Sequence, residues 1–199
     1  MKNFQLSLAI GFVMAIIITV TCFGEKNAVN LRENVLRVHI LANSDSEKDQ
    51  QLKLKVRDRV LKETENLFYN VDTKEKAEKI TQENIDEIIK IAQDEIRKNG
   101  YDYPVAAEIK DTFFDTRMYG DVTLPAGRYD ALRILIGEGK GQNWWCVMFP
   151  QLCIPSSKEK TFTEDEMKIV SSPKYKPQFA AVELFQKAKK VITAKGTNS

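Results

Sequence analysis

The chain has 199 residues, 43% of them hydrophobic and 29% charged, a globular balance that counts against a disordered polypeptide. Thirty Lys and Arg against 28 Asp and Glu leave a formal charge of +2, without the basic excess of a dedicated nucleic-acid binder. One His and three Cys are too few for a multi-ligand zinc scaffold and allow at most one His-centred catalytic unit.

Lys2 is the only charge before Glu25, and Phe4 to Phe23 is an unbroken uncharged run. This is the basic start and apolar body of a secretory signal, and it is also long enough to span a bilayer as a helix. Residues 1–24 are therefore expected to be a cleaved signal peptide or a retained membrane anchor. Gly24 is the small residue at a cut before Glu25, while Thr19-Val20-Thr21 is a poor lipidation approach to Cys22. Either outcome places the rest outside the cytoplasm that made it. Residues 25–199 then carry 29 basic and 28 acidic residues, and two cysteines, Cys146 and Cys153. An oxidising compartment lets that pair close as a disulfide; two buried free thiols are the alternative.

In chain order, Asn34 to Ala42 is β-branched and apolar and predicts a buried strand. Asn43-Ser44-Asp45-Ser46 is a turn cluster, and Ser46 with Asp49 has capping-box spacing for a helix running to about Phe68. Asp72 with Glu75 is expected to cap a second long helix, striped by Ala77, Ile80, Ile88, Ile89, Ala92 and Ile96 and ended by Asn99-Gly100. From Tyr103 the pattern turns to strands. Val105–Ile109 and 111–118 alternate weakly, whereas 129–136 and 144–149 are strong. The last two read as a hairpin joined by a flexible glycine loop over 137–143. Residues 154–178 read as a polar linker, and 179–199 as a Lys-rich amphipathic helix that packs on the domain or lies on anionic lipid. The element order predicts an α+β fold: an antiparallel or mixed sheet with two long helices on one face, an N-terminal signal or anchor helix and a C-terminal amphipathic helix. Residues 25–153 form its folded domain.

Few residues suggest chemistry. Gly137-Glu-Gly-Lys-Gly141 precedes a strand, whereas a phosphate loop needs a helix N-terminus, so the glycines read as a connection. Set on a rigid hairpin, that connection would be a natural tip for binding a partner. His39 and Cys146 are a candidate base and nucleophile, with Asn43 or Asp45 to orient the ring; a hydrogen-bonded core His is the competing expectation. Asn43, Asp45, Asp49 and Asp58 lack the spacing of a calcium loop and read as capping residues. Trp144 and Trp145 point to opposite faces of one strand, so one is expected in the core and the other exposed as an interface anchor. The candidate partner-binding residues are Trp144, Trp145, Gly139, Lys140 and Asn143. No catalytic residue, metal or cofactor is assigned.

Two long segments carry a family resemblance. Leu36-Arg-Val-His-Ile-Leu-Ala-Asn-Ser-Asp-Ser46, followed by Asp49-Gln50 and Lys55-Val-Arg-Asp58, resembles the opening block of stage II sporulation protein R. Tyr119-Gly-Asp, Leu124-Pro-Ala-Gly127, Tyr129-Asp-Ala-Leu132 and 137–150 resemble its second block. The resemblance implies a signalling protein, not an enzyme, exported from the forespore into the space between the forespore membranes. Its partner there would be a membrane-embedded aspartic protease of the mother cell, which removes the pro-segment of sigma-E. No nucleic acid and no small-molecule substrate are expected, and a membrane surface is a second potential partner. The alternative from the residues alone is an exported hydrolase using Cys146 and His39. A third reading is a structural membrane-surface protein held by its first and last helices.

Overall fold

The computed structural model describes residues 31–119 and 122–150, with scattered residues between 5 and 29. The expected signal or anchor segment lies almost wholly outside these residues. So do the 154–178 linker, the 179–199 helix and Cys153.

The described elements are β1 (Leu36–Leu41), α1 (Glu47–Thr64) with a 3-10 turn (Glu65–Phe68), α2 (Lys74–Glu83), α3 (Ile85–Lys98), β2 (Val105–Phe114), β3 (Arg117–Tyr119), β4 (Val122–Leu124), β5 (Gly127–Ile136) and β6 (Asn143–Phe149). Four strands form a mixed sheet in the order β2-β5-β1-β6. β1 runs parallel to β5, pairing Val38 with Leu132, and antiparallel to β6, pairing Val38 with Cys146. The fold is therefore α+β with a mixed sheet. β5 and β6 do not form the expected hairpin, because β1 lies between them. Local sequence contains no signal for this placement: the strand inserted between them precedes β5 by 85 residues.

Alternation along the strands divides the sheet into two faces. Leu36, Val38 and Ile40 of β1 join Leu132, Ile134 and Ile136 of β5 and Met148 of β6 on the helix-covered face. Leu52, Val56 and Val60 of α1, Ala77 of α2, and Ile88, Ala92 and Ile96 of α3 close that core. On the other face Arg37, His39, Tyr129, Ala131 and Val147 are also buried.

The helices begin and end for local reasons. Ser46 is extended and its hydroxyl accepts from the Asp49 N–H at 3.2 Å, satisfying a donor that α1 leaves open. α2 is capped by Thr73, which accepts from the Lys76 N–H, and not by Asp72, whose carboxylate pairs with Lys76 at 2.8 Å. The expected second helix is two helices. At Asn84 the side chain donates to the Ile80 carbonyl at 2.8 Å, competing with the helical ladder and ending α2. The break resets the helical phase, so Ile91 is buried in α3 while Ile89 is only half-buried. Gly100, at φ +81°, terminates α3 as expected. The weak pattern after Tyr103 resolves into a ten-residue strand, β2, which runs through both expected segments, and after a break at Asp115-Thr116 into the short β3.

Cα packing separates two units; the helices and the sheet, apart from the last two residues of β2 and the first of β5, belong to one, while Arg32 and residues 113–127 belong to the other. The latter contains the β3–β4 hairpin, paired Met118 to Thr123. In it Arg32 donates to the Ala126 carbonyl at 3.1 Å, and the Ala126 N–H donates to Thr116 Oγ1 at 3.1 Å. Gly127, at φ +154°, lies so close to Arg32 that a Cβ would meet Nη1 at 2.5 Å.

Candidate functional site

The β5–β6 connection crosses the C-terminal end of β1 and is laced to the turn that follows β1. The Gly141 N–H donates to the Ala42 carbonyl at 2.9 Å, and the Lys140 N–H to the Asn43 carbonyl at 3.2 Å. The Glu138 N–H donates to Asn43 Oδ1 at 3.0 Å, and the Gln142 N–H to Asp45 Oδ1 at 2.7 Å. Gly141 has no room for a side chain, since a Cβ would lie 2.2 Å from the Ser44 carbonyl oxygen. Gly137 and Gly139 take φ +59° and +60°, where a glycine is favoured. The glycines thus serve a fixed double loop, which corrects the expectation of a flexible tip.

The turn is tied in its own right. Asp49 is buried, and its Oδ2 accepts from Asn43 Nδ2 at 2.9 Å and from the Ser44 hydroxyl at 2.6 Å. Burial pushes this carboxyl upward. Hydrogen bonds from Ser44, Asn43, Tyr103 and Ser46 outweigh it and hold the group below its ordinary value. Asn43, Asp45 and Asp49 therefore act in capping and loop docking. Lys53 is buried one helical turn further along α1; it donates to the Gln142 carbonyl at 2.8 Å and to Gln50 Oε1 at 2.6 Å. Burial lowers its pKa, Asp45 opposes that, and Arg57 adds to it.

Both Trp rings are half-buried, so neither is the exposed anchor the sequence suggested. Trp144 packs against the helix-side core, with the Arg57 guanidinium 5.0 Å above its ring. Trp145 lies on the other face, edge-on to His39 at 6.1 Å. Of the remaining candidates, Lys140 is exposed and paired with Glu138 at 2.7 Å, Gly139 forms the turn beside it, and Asn143 is exposed at the start of β6. Asn143 also has a structural role, because His39 Nε2–H donates to its Oδ1 at 2.7 Å. That acceptor carries no proton, so it selects the ring's Nε2–H tautomer.

His39 is a hydrogen-bonded core His. Burial holds its pKa below the ordinary 6.5, the Asn143 bond opposes this, and Arg133 and Arg37 reinforce it. Register separates it from Cys146: His39 pairs with Trp145 on one face, while Cys146 pairs with Val38 on the other. The sheet thus stands between the candidate base and the candidate nucleophile. Cys146 is buried, and the expected bridge to Cys153 extends outside the described residues.

The sequence indicated the loop as a place of interest but not its docking on the Asn43–Asp49 turn, nor the role of Lys53. A readable signal existed. Asn-Ser-Asp-Ser beside a helix start offers more polar groups than one cap uses, and the surplus binds the glycine loop.

Residues 32–159 match the family model described as stage II sporulation protein R. The stage II sporulation protein R of Bacillus subtilis (strain 168) is 38% identical over 130 residues, which are 65% of this chain. The match spans 58% of that relative's length. No solved structure matches. The matched region holds every described strand and helix from β1 to β6, the double loop included.

Proposed function

The chain belongs to the stage II sporulation protein R family, and on that premise we propose that it is a sporulation signal that acts by binding and has no catalytic role of its own. The partner is a membrane-embedded aspartic protease of the mother cell, and the outcome is removal of the pro-segment of sigma-E. The chain is exported from the forespore into the space between the forespore membranes, using residues 1–24 as signal or anchor. Cys146 and Cys153 close a bridge there. The contact is the double loop and its border, around Gly139, Lys140, Asn143 and Trp144, with Trp145 behind them.

One observation supports this reading above the others: the family match covers the whole laced region, from Asn43 to Asn143. The opposed faces of His39 and Cys146 weigh against the hydrolase alternative. To activate, the chain must bind the active form of the protease more tightly than the inactive form; equal affinity shifts nothing.

The test is reconstitution in a non-sporulating host that expresses this chain, the protease and the sigma precursor. Shortened sigma on a gel, dependent on this chain and retained with Cys146→Ser and His39→Ala, is the expected result. Absence of processing, with folded exported chain and a protease shown to be competent, would reject the proposal.

A further inference from the structure

β2 ends the order of the four-stranded sheet, and among the described residues no strand lies beyond it. Its pairing with β5 fixes which way its backbone groups point. The Gly137 N–H donates to the Pro104 carbonyl at 2.8 Å, and Arg133 pairs with Glu108 at 2.8 Å. Four residues forward from Pro104 thus match four residues back from Gly137, an antiparallel ladder without a slip. In such a ladder alternate residues turn their N–H and C=O toward the neighbour. The even-numbered residues from Pro104 to Lys110 face β5, so Ala107, Ile109 and Asp111 present their backbone groups at the outer edge.

An open edge of this kind is a template for another strand, and charged side chains are the usual guard against it. Glu108 and Lys110 are exposed on the sheet face away from Ala107, which packs on the helix-side core. Their order makes the guard selective. Consider a second copy of β2 laid antiparallel along the first. Residues with outward backbone groups must oppose one another, so the twofold axis passes through a residue and not between two. An axis at Glu108, Lys110 or Asp111 sets that charge against its own copy, which is unfavourable. An axis at Ala107 leaves Glu108 opposite Ala106 and Lys110 opposite Pro104. An axis at Ile109 places Glu108 opposite Lys110 of the second copy, and Lys110 opposite its Glu108. Ile109 then bonds to its own copy, which leaves both charge pairs at the positions where antiparallel side chains approach most closely. The half-buried Ile109 side chains meet beside each other.

We propose that the outer edge of β2 takes a second copy of this chain, antiparallel and centred on Ile109, joining the two sheets into one. The assembly is isologous and closes on itself. A strand pair is a small interface, so association is weak and needs a high local concentration.

Sedimentation equilibrium of the full chain, in density-matched detergent at low salt, tests this with two charge reversals. Glu108→Lys alone and Lys110→Glu alone each set like charges opposite one another in this register, whereas a mixture of the two variants restores both opposite pairs. The expected result is a wild type that passes from one copy to two as concentration rises, each variant associating about tenfold more weakly, and a mixture that associates as the wild type does. Both side chains are exposed, so the variants should keep the wild-type urea midpoint within about 0.5 kcal/mol. Amide exchange at Ile109 should slow with concentration, while Lys110, whose N–H faces β5, stays constant. Single variants that associate like the wild type, or a mixture that does not associate, overturn the proposal. So does a wild type that stays single: Ile109 protected at every concentration then means that another segment of the chain holds the edge, and Ile109 unprotected means that the edge stays open.

Discussion

At His39 the burial of a titratable ring ties stability to pH. Its folded pKa lies below the ordinary 6.5, so the unfolded chain takes up the proton first as pH falls. The His39 contribution is intact above about pH 7 and is lost as pH drops through 6.5 toward the lowered folded value. His39→Gln removes the titration and keeps a donor toward Asn143. The difference in urea midpoint between wild type and variant should be constant above about pH 7 and move against the wild type below it; a constant difference throughout would mean that the ring titrates alike in both states. Gly141 carries a second prediction. Ala there would place a Cβ 2.2 Å from the Ser44 carbonyl oxygen, a backbone atom that cannot swing aside. Gly141→Ala should destabilise by about 1–3 kcal/mol, read as a lowered urea midpoint. At this scale the sequence was informative where chemistry is local. A lone His in an apolar strand is a core His, and its hydrogen bond to Asn143 bears this out. What it could not reveal was that His39 and Cys146 face opposite ways, since that depends on the register between strands distant in the chain.

Helix starts and breaks carry their own energetics. Ser46→Ala removes the hydroxyl that accepts from Asp49 N–H and should lower stability by about 1 kcal/mol, with loss of helical signal and the same m-value in urea. Asn84→Ala is different, since Asn84 interrupts the ladder between α2 and α3 by bonding the Ile80 carbonyl. The sequence indicated the first site because Ser-x-x-Asp is a contiguous pattern. It suggested one long helix across the second because Asn inside a polar stretch looks like any surface residue. The same limit applied to the strands. Each strong strand was visible in its β-branched and apolar residues, but strand order and the lacing of two loops are decided by tertiary pairing. Lys53 illustrates this best: in sequence it is one Lys among several on α1, and in the fold it is a buried donor to Gln142.

Across the whole sheet-and-helix unit, one core carries the stability. Ile134, fully buried between the flanks of β5, touches the cluster shared by β1, α1 and α3. Ile134→Ala should cost about 2–5 kcal/mol, measured by urea unfolding, against the smaller effects at caps and loops. The double loop, by contrast, is polar, and loss of one of its side-chain hydrogen bonds should cost less than that.

The position of β1 has a consequence for how the chain is made. Synthesis is vectorial, and Leu36–Leu41 emerges long before either strand that will flank it, at Gly127 and Asn143. α1, α2 and α3 rest on contacts close in sequence and can form while the chain is still growing, whereas closing the sheet waits for separations of about a hundred residues, which is slow. Until then an apolar strand stands with both edges open, the state most prone to mispairing. A pause in translation before Gly127 would therefore present that strand to chaperones, until β5 covers one of its edges and β6 the other.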